Sequence, residues 1–195
     1  MNIKEFYRDK VIVLTGTTGF VGKVMLEKFL RSLSSFKKLY VMVRAKKNRT
    51  IQERLQKEIL NSEIFHRLFE ANPSARQLVH EKVVPFAGDL IIDGLGISEE
   101  VRAQLTSEVQ IVINCAASVN FDDPLLDALQ INYFGCLRML QLAEECQNIE
   151  AFTHVSTAYT NSNQRGYNFI EEKVYDLANK QDPEEAVAKI VALGP

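Results

Sequence analysis

Val11-Ile-Val-Leu-Thr-Gly-Thr-Thr-Gly-Phe-Val-Gly22 joins a short apolar run to three glycines spaced three residues apart. The segment behind it, Lys23-Val-Met-Leu-Glu-Lys-Phe-Leu-Arg31, has helical periodicity. That periodicity puts Val24, Phe29 and Leu30 on one stripe with Val21 and Leu33. A buried strand, a glycine loop and an amphipathic helix in this order form a cradle for a dinucleotide pyrophosphate, a dense anion. Such an anion sits against backbone N–H groups at a helix N-terminus, where larger side chains block its approach. Gly16 is expected to make the tight turn, Gly19 to let backbone approach the ligand, and Gly22 to let helix and strand pack. The cofactor-binding candidates here are Gly16, Thr17, Thr18, Gly19, Phe20, Val21 and Gly22. A merely flexible turn does not explain three glycines on one period, and the flanking strand and helix are the context the motif requires.

Outward from this loop, short apolar runs recur with helical segments between them. Leu39–Val43 reads as a second strand, and residues 50–70 as one or two amphipathic helices through Ile51, Leu55, Ile59 and Leu60, broken at Asn72-Pro73. Lys82–Phe86 reads as a third strand, with Pro85 marking an end or edge position. Ser98 caps a helix whose first turn carries Glu99 and Glu100. Gln110–Asn114 is a fourth strand and Ala151–Val155 a fifth. Between them Asp122-Asp123-Pro124 opens a long helix, with a capping aspartate and proline at the first helical position. The alternation predicts an α/β fold: a doubly wound parallel sheet of the Rossmann type with helices on both faces, incomplete at the C-terminus.

The second strand ends on Arg44, followed by Lys46, Lys47 and Arg49, with no acid before Glu53. NAD sites usually place an acid there for the ribose 2′-hydroxyl, whereas a 2′-phosphate calls for arginine, which grips it through paired hydrogen bonds. The cluster reads as an NADP(H) site with Arg44 foremost and Lys47 beside it; a solvated basic loop is the alternative. With 23 basic against 25 acidic side chains, bulk electrostatic binding to nucleic acid is not expected. His66, His80 and His154 are too scattered for a metal site. Cys115, Cys136 and Cys146 lack Cys-x-x-Cys spacing; they read as buried free thiols of a reducing, intracellular compartment. The N-terminus has no apolar signal-peptide core, and no apolar run approaches the ~18 residues of a membrane span, so the chain by itself is expected to be soluble.

Thr15–Gly22 resembles the extended short-chain dehydrogenase/reductases. Gly19–Arg31, Val41–Lys47, Glu53–Leu55, Gly88-Asp-Leu90, Asn114–Phe121, Asn132–Gly135 and His154–Tyr159 together are similar to the fatty acyl-CoA reductases, in order from about residue 3 to about residue 175. The resemblance implies that Asp89, with Leu90, meets the adenine amino group; a helix cap is the other reading. It implies that Cys115, Ala116 and Ala117 leave room for the cofactor at a strand end, unless they only form a tight turn. Asn132 would help organise the active site, although a surface or helix-bonding asparagine reads nearly as well. Thr157, with Ser156 beside it, would hydrogen-bond the substrate carbonyl, the alternative being a polar strand end or cap.

The same resemblance implies a catalytic Tyr-x-x-x-Lys pair, the tyrosine handling a proton and the lysine lowering its pKa. None of the six tyrosines has its lysine: Tyr7 precedes Val11 by four residues, Tyr40 Arg44, Tyr133 Leu137, Tyr159 Asn163, Tyr167 Glu171 and Tyr175 Asn179. Tyr159 therefore reads as a packing or substrate-side residue. The family places the pair further along, so residues 1–195 are expected to be the NADP(H)-binding part of a longer protein, inactive alone. The implied activity is NADPH-dependent reduction of a long-chain fatty acyl-CoA to a primary alcohol, at the cytosolic face of the endoplasmic reticulum or peroxisomal membrane. The alternatives are another extended reductase, such as a thioester-reductase domain, and a non-catalytic NADP(H)-binding module.

Overall fold

The computed structural model describes residues 2–161, 170–177 and 180–194; Asn163, Tyr167 and Asn179 lie outside them. A short helix, α1 (Ile3–Phe6), precedes β1 (Val11–Leu14), α2 (Phe20–Ser32) and β2 (Lys38–Val43). Next, α3 (Ile51–Arg54) runs into a π-helical stretch, Leu55–Leu60, and a 3-10 turn, Glu63–Phe65, leads into α4 (His66–Ala71). Then follow α5 (Ser74–Lys82), β3 (Val83–Ala87), α6 (Glu99–Glu108) and β4 (Ile111–Asn114). The long helix expected after β4 is built of α7 (Leu125–Leu129), a π-helical stretch Gln130–Phe134, and α8 (Gly135–Glu145). β5 (Ala151–His154) and α9 (Pro183–Leu193) complete the described elements.

All four strand pairings are parallel, in the order β3-β2-β1-β4-β5. Because strand side chains alternate, each strand feeds two cores. Ile12 and Leu14 join Leu39, Val41, Ile111 and Ile113 under α2 and the helices that follow β2. Val11 and Val13 join Tyr40, Met42 and Val112 under α6 and α8. β1 and β4 are buried along their whole length, which is why they read as continuous apolar runs. Each fully buried Ile or Leu contributes roughly 1.5–3 kcal/mol. Pro85 lies on β3, an edge strand among the described residues, where a missing N–H breaks no ladder.

Three expectations are corrected, on the α2 stripe, Pro124 and the thiols, and one helix is added. Along α2 the inward residues are Gly22, Leu26, Phe29 and Leu30, while Val21 and Val24 are exposed. Contact between Gly22 and the glycine loop sets the helix's rotation, and Leu26 follows one turn on. Residues 74–82, not anticipated as helix, form α5 behind the break at Asn72-Pro73, burying Ala75 and Val79. Pro124 is not the first helical residue of α7 but its N-cap, without a side-chain cap bond. Asp123 is turned elsewhere. Of the thiols, all free, Cys146 is buried while Cys115 and Cys136 are half-buried. Burial pushes all three upward in pKa, away from reactivity.

Candidate dinucleotide site

The order β3-β2-β1-β4-β5 puts the reversal of winding between β1 and β4, and ligands of such sheets bind beyond the carboxyl ends of the strands there. A cleft of about 270 Å³ occupies that position. The turn after β1 lines it with Gly16 and Thr18, β2 with Met42, and the position just past β2 with Arg44. The segment after β3 adds Gly88, Asp89 and Leu90, and that after β4 adds Ala116, Ala117 and Ser118, with Ile131 from the π-helical stretch. Parallel pairing alone brings these distant segments together.

The glycines have separable causes. Gly16 has φ +76°, and a Cβ there would lie 2.6 Å from the Cys115 carbonyl oxygen. A Cβ on Gly22 would lie 2.2 Å from the Gly16 carbonyl oxygen and 2.7 Å from the Thr17 nitrogen. Helix α2 thus packs on the loop's own backbone. Gly19 differs: the one atom its Cβ would meet within 4 Å is the Gly16 carbonyl oxygen, at 3.3 Å. The protein's own packing presses less closely on Gly19 than on Gly16 or Gly22. Gly19 is also the N-cap of α2, with no side-chain cap bond and no acid in the first turn, leaving free N–H groups and a positive helix end for an anion. The Thr17 hydroxyl is buried without a hydrogen-bond partner among the described residues. These features fit a bound pyrophosphate.

Below the loop, buried Thr15 ties β1 to β4. Its Oγ1 accepts from the N–H groups of Cys115 and Ala116, both at 3.0 Å, and donates to Asn114 Oδ1 at 2.7 Å. Asn114 Nδ2 lies 3.3 Å from His154 Nδ1 at the end of β5. Cys115 itself does not line the cleft but supplies the backbone against which Gly16 rests.

The basic cluster divides. Lys46, Arg49 and Arg54 converge on Glu58, at 3.4, 2.9 and 2.6 Å. Hydrogen bonds from Arg54, then from Arg49 and Lys46, hold the Glu58 carboxyl down to about 2 against the cost of desolvation. Arg54 is 5% exposed, and its Nη1 donates to the Arg44 carbonyl, so this network carries the end of β2. Arg44 lines the cleft while Lys47 lies outside its lining. Arg54 and Glu58 were not singled out from sequence, although their i,i+4 spacing on a helix was visible.

Asp89 accepts from the Ile91 N–H at 3.2 Å and its own N–H donates to the Leu95 carbonyl at 2.8 Å, a turn and not a helix cap. Arg138 of α8 fastens this turn, donating to the Leu90 carbonyl at 2.9 Å and to Asp93. A Cβ on Gly135 would meet Leu90 Cβ at 2.9 Å. Asn132 accepts from the Ser118 N–H at 2.8 Å and donates to the Ser118 carbonyl at 3.1 Å, fixing a cleft residue rather than facing solvent idly. Ser156 and Thr157 are exposed beyond β5, outside the cleft lining, and Thr157 Oγ1 accepts from the Tyr159 N–H at 3.2 Å. Tyr159 packs edge-on against Phe121 and stays largely exposed. Phe20, Val21, Gly19, Gly22 and Thr17 border the loop without lining the cleft. No cluster of metal-binding side chains exists among the described residues.

A family model for an NAD-binding domain, described as "Male sterility protein", matches residues 14–191. The chain belongs to the Male sterility protein family. This family member is 41% identical over 175 residues to fatty acyl-CoA reductase 1 of Mus musculus, a match covering 90% of the chain and 32% of that relative. It is 39% identical to probable fatty acyl-CoA reductase 5 of Arabidopsis thaliana, covering 90% of the chain and 36% of the relative. Among solved structures it is similar to the reductase domain of a non-ribosomal peptide synthetase from Mycobacterium tuberculosis, with TM-score 0.62 and 27% identity. That likeness covers 78% of this chain and 34% of the other. The chain thus spans about a third of the length of the relatives it matches. No helix among the described residues is long and apolar enough to cross a membrane.

Proposed function

We propose that residues 1–195 form the NADP(H)-binding part of a fatty acyl-CoA reductase, which reduces a long-chain acyl-CoA to a primary fatty alcohol. The observation that carries this reading is the meeting of the glycine loop, Arg44 and Asp89 in one cleft, in a chain about 40% identical to proteins named for that reaction. NADPH supplies hydride when bound. Gly16–Gly22 and the N-terminus of α2 hold the pyrophosphate, Arg44 the 2′-phosphate and Asp89 the adenine amino group, with Leu90, Ala116 and Ala117 shaping the walls. Lys47 adds charge at the rim. The Thr157 hydroxyl, with Ser156 beside it, donates to the substrate carbonyl as negative charge develops on oxygen, and Asn132 keeps the adjoining segment in place. Free thiols suit a reducing compartment. The site at the cytosolic face of the endoplasmic reticulum or peroxisomal membrane rests on the family reading alone.

Incubating the full-length protein with palmitoyl-CoA and NADPH tests this: fatty alcohol or aldehyde is expected, and neither product would overturn it. Likeness to the synthetase reductase domain favours one second reading, reduction of a carrier-bound thioester. That substrate belongs in the same assay, and turnover of it alone would select the second reading.

A further inference from the structure

Asp123 precedes a proline at a helix start, the place where an aspartate ordinarily caps. Here that bond is not made: α7 begins at Leu125, with Pro124 as its N-cap and no side-chain cap bond. The Asp123 carboxylate instead turns back into the preceding loop. Its Oδ2 accepts from Ser118 Oγ, and its Oδ1 accepts from Asn120 Nδ2 at 2.6 Å. Ser118 is also gripped from the other side, its N–H and carbonyl both bonded to the Asn132 amide. Three side chains thus immobilise, directly or through a neighbour, one residue that lines the cleft.

Strand order says which part of a dinucleotide passes there. With the 2′-phosphate at the end of β2 and the pyrophosphate over the loop after β1, the rest of the molecule must cross β4. The backbone of Ala116–Ser118 then walls the nicotinamide half. We propose that Asp123 is a positioning residue for that half, acting through Ser118, and that a cap bond for α7 is given up to this end. The inference rests on the cofactor reading above.

The test uses the full-length protein, with binding measured by calorimetry for two probes. NADPH spans the whole cleft, and adenosine 2′,5′-bisphosphate occupies only the adenosine half. Asp123→Ala removes both acceptor oxygens of the clamp; it is expected to weaken NADPH about tenfold and leave the bisphosphate within about twofold. Asp122→Asn, next door and exposed, is expected to change neither. Equal loss for both probes, no loss for either, or the same effect from Asp122→Asn would overturn the proposal. If Asp123→Ala does not fold, Asn120→Ala removes one arm of the clamp and must show the same split at about threefold. Failure of the wild-type protein to bind either probe would sink the cofactor reading itself, and this inference with it.

Discussion

The carbonyl oxygen of Gly16 lies where only a hydrogen on the α-carbon of Gly22 fits, since a Cβ there would be 2.2 Å away. The obstacle is backbone, which has no rotamer to yield. Gly22→Ala is expected to destabilise the fold by about 3 kcal/mol, measured as a lower Tm. Gly19→Ala is expected to keep its stability within about 1 kcal/mol and lose NADPH affinity, because the one atom near its Cβ is 3.3 Å away and nothing else lies within 4 Å. Equal thermal losses for the two would contradict the division of roles drawn above.

Arg44 is the residue proposed to separate the two nicotinamide cofactors. Lys46 and Arg49 are paired to Glu58, leaving Arg44 as the basic side chain that lines the cleft. Arg44→Ala is expected to weaken NADPH at least about tenfold and NADH little, since it removes a charge-assisted bond to the one group that differs. Parallel titrations of both cofactors check this. Similar losses would mean that the cluster is only a solvated loop.

Glu58 sets an acid limit on this corner of the fold. Its carboxyl titrates at about 2 in the folded chain against 4.5 ordinarily, so the folded state binds its proton less readily than the unfolded state. Its stabilisation is complete above about pH 5 and is lost as pH falls through the folded value. Glu58→Gln is therefore expected to lower Tm by a constant amount above that pH, with the gap closing toward pH 2. Melting curves of both proteins across pH 2–7 decide it; a gap that widens in acid would refute the pairing.

Thr157 stands apart from the cofactor cleft, which makes binding and turnover separable. Thr157→Val in the full-length protein is expected to cut kcat on palmitoyl-CoA about a hundredfold while leaving the NADPH Kd unchanged. A variant that turns over normally would remove Thr157 from the reaction.

Much of this was legible in the residues themselves. β1, β2 and β4 stood out because burial on both faces demands unbroken apolar runs, and the glycine period because a tight turn and a close packing both exclude side chains. Arg44 was visible as a base where an acid is usual. Less legible was anything set by competition between partners. Val21 and Val24 fit a helical stripe as well as Leu26 does, and only contact between Gly22 and Gly16 chose the rotation. Asp123 has the form of a helix cap, but Ser118 and Asn120 outbid the helix for its carboxylate.

By itself, then, the sequence determined a parallel α/β sheet, a dinucleotide loop at its first turn and the basic character of the second strand's end. Local spacing and period carry that information, because hydrogen-bonding and burial patterns repeat every two or 3.6 residues. Tertiary structure alone decided which basic side chain faces the cleft, which glycines are pressed against backbone, and that Asp123 and Asn132 meet on Ser118. These are contests among groups far apart in the chain, and their outcome depends on distances that exist only once the strands have paired.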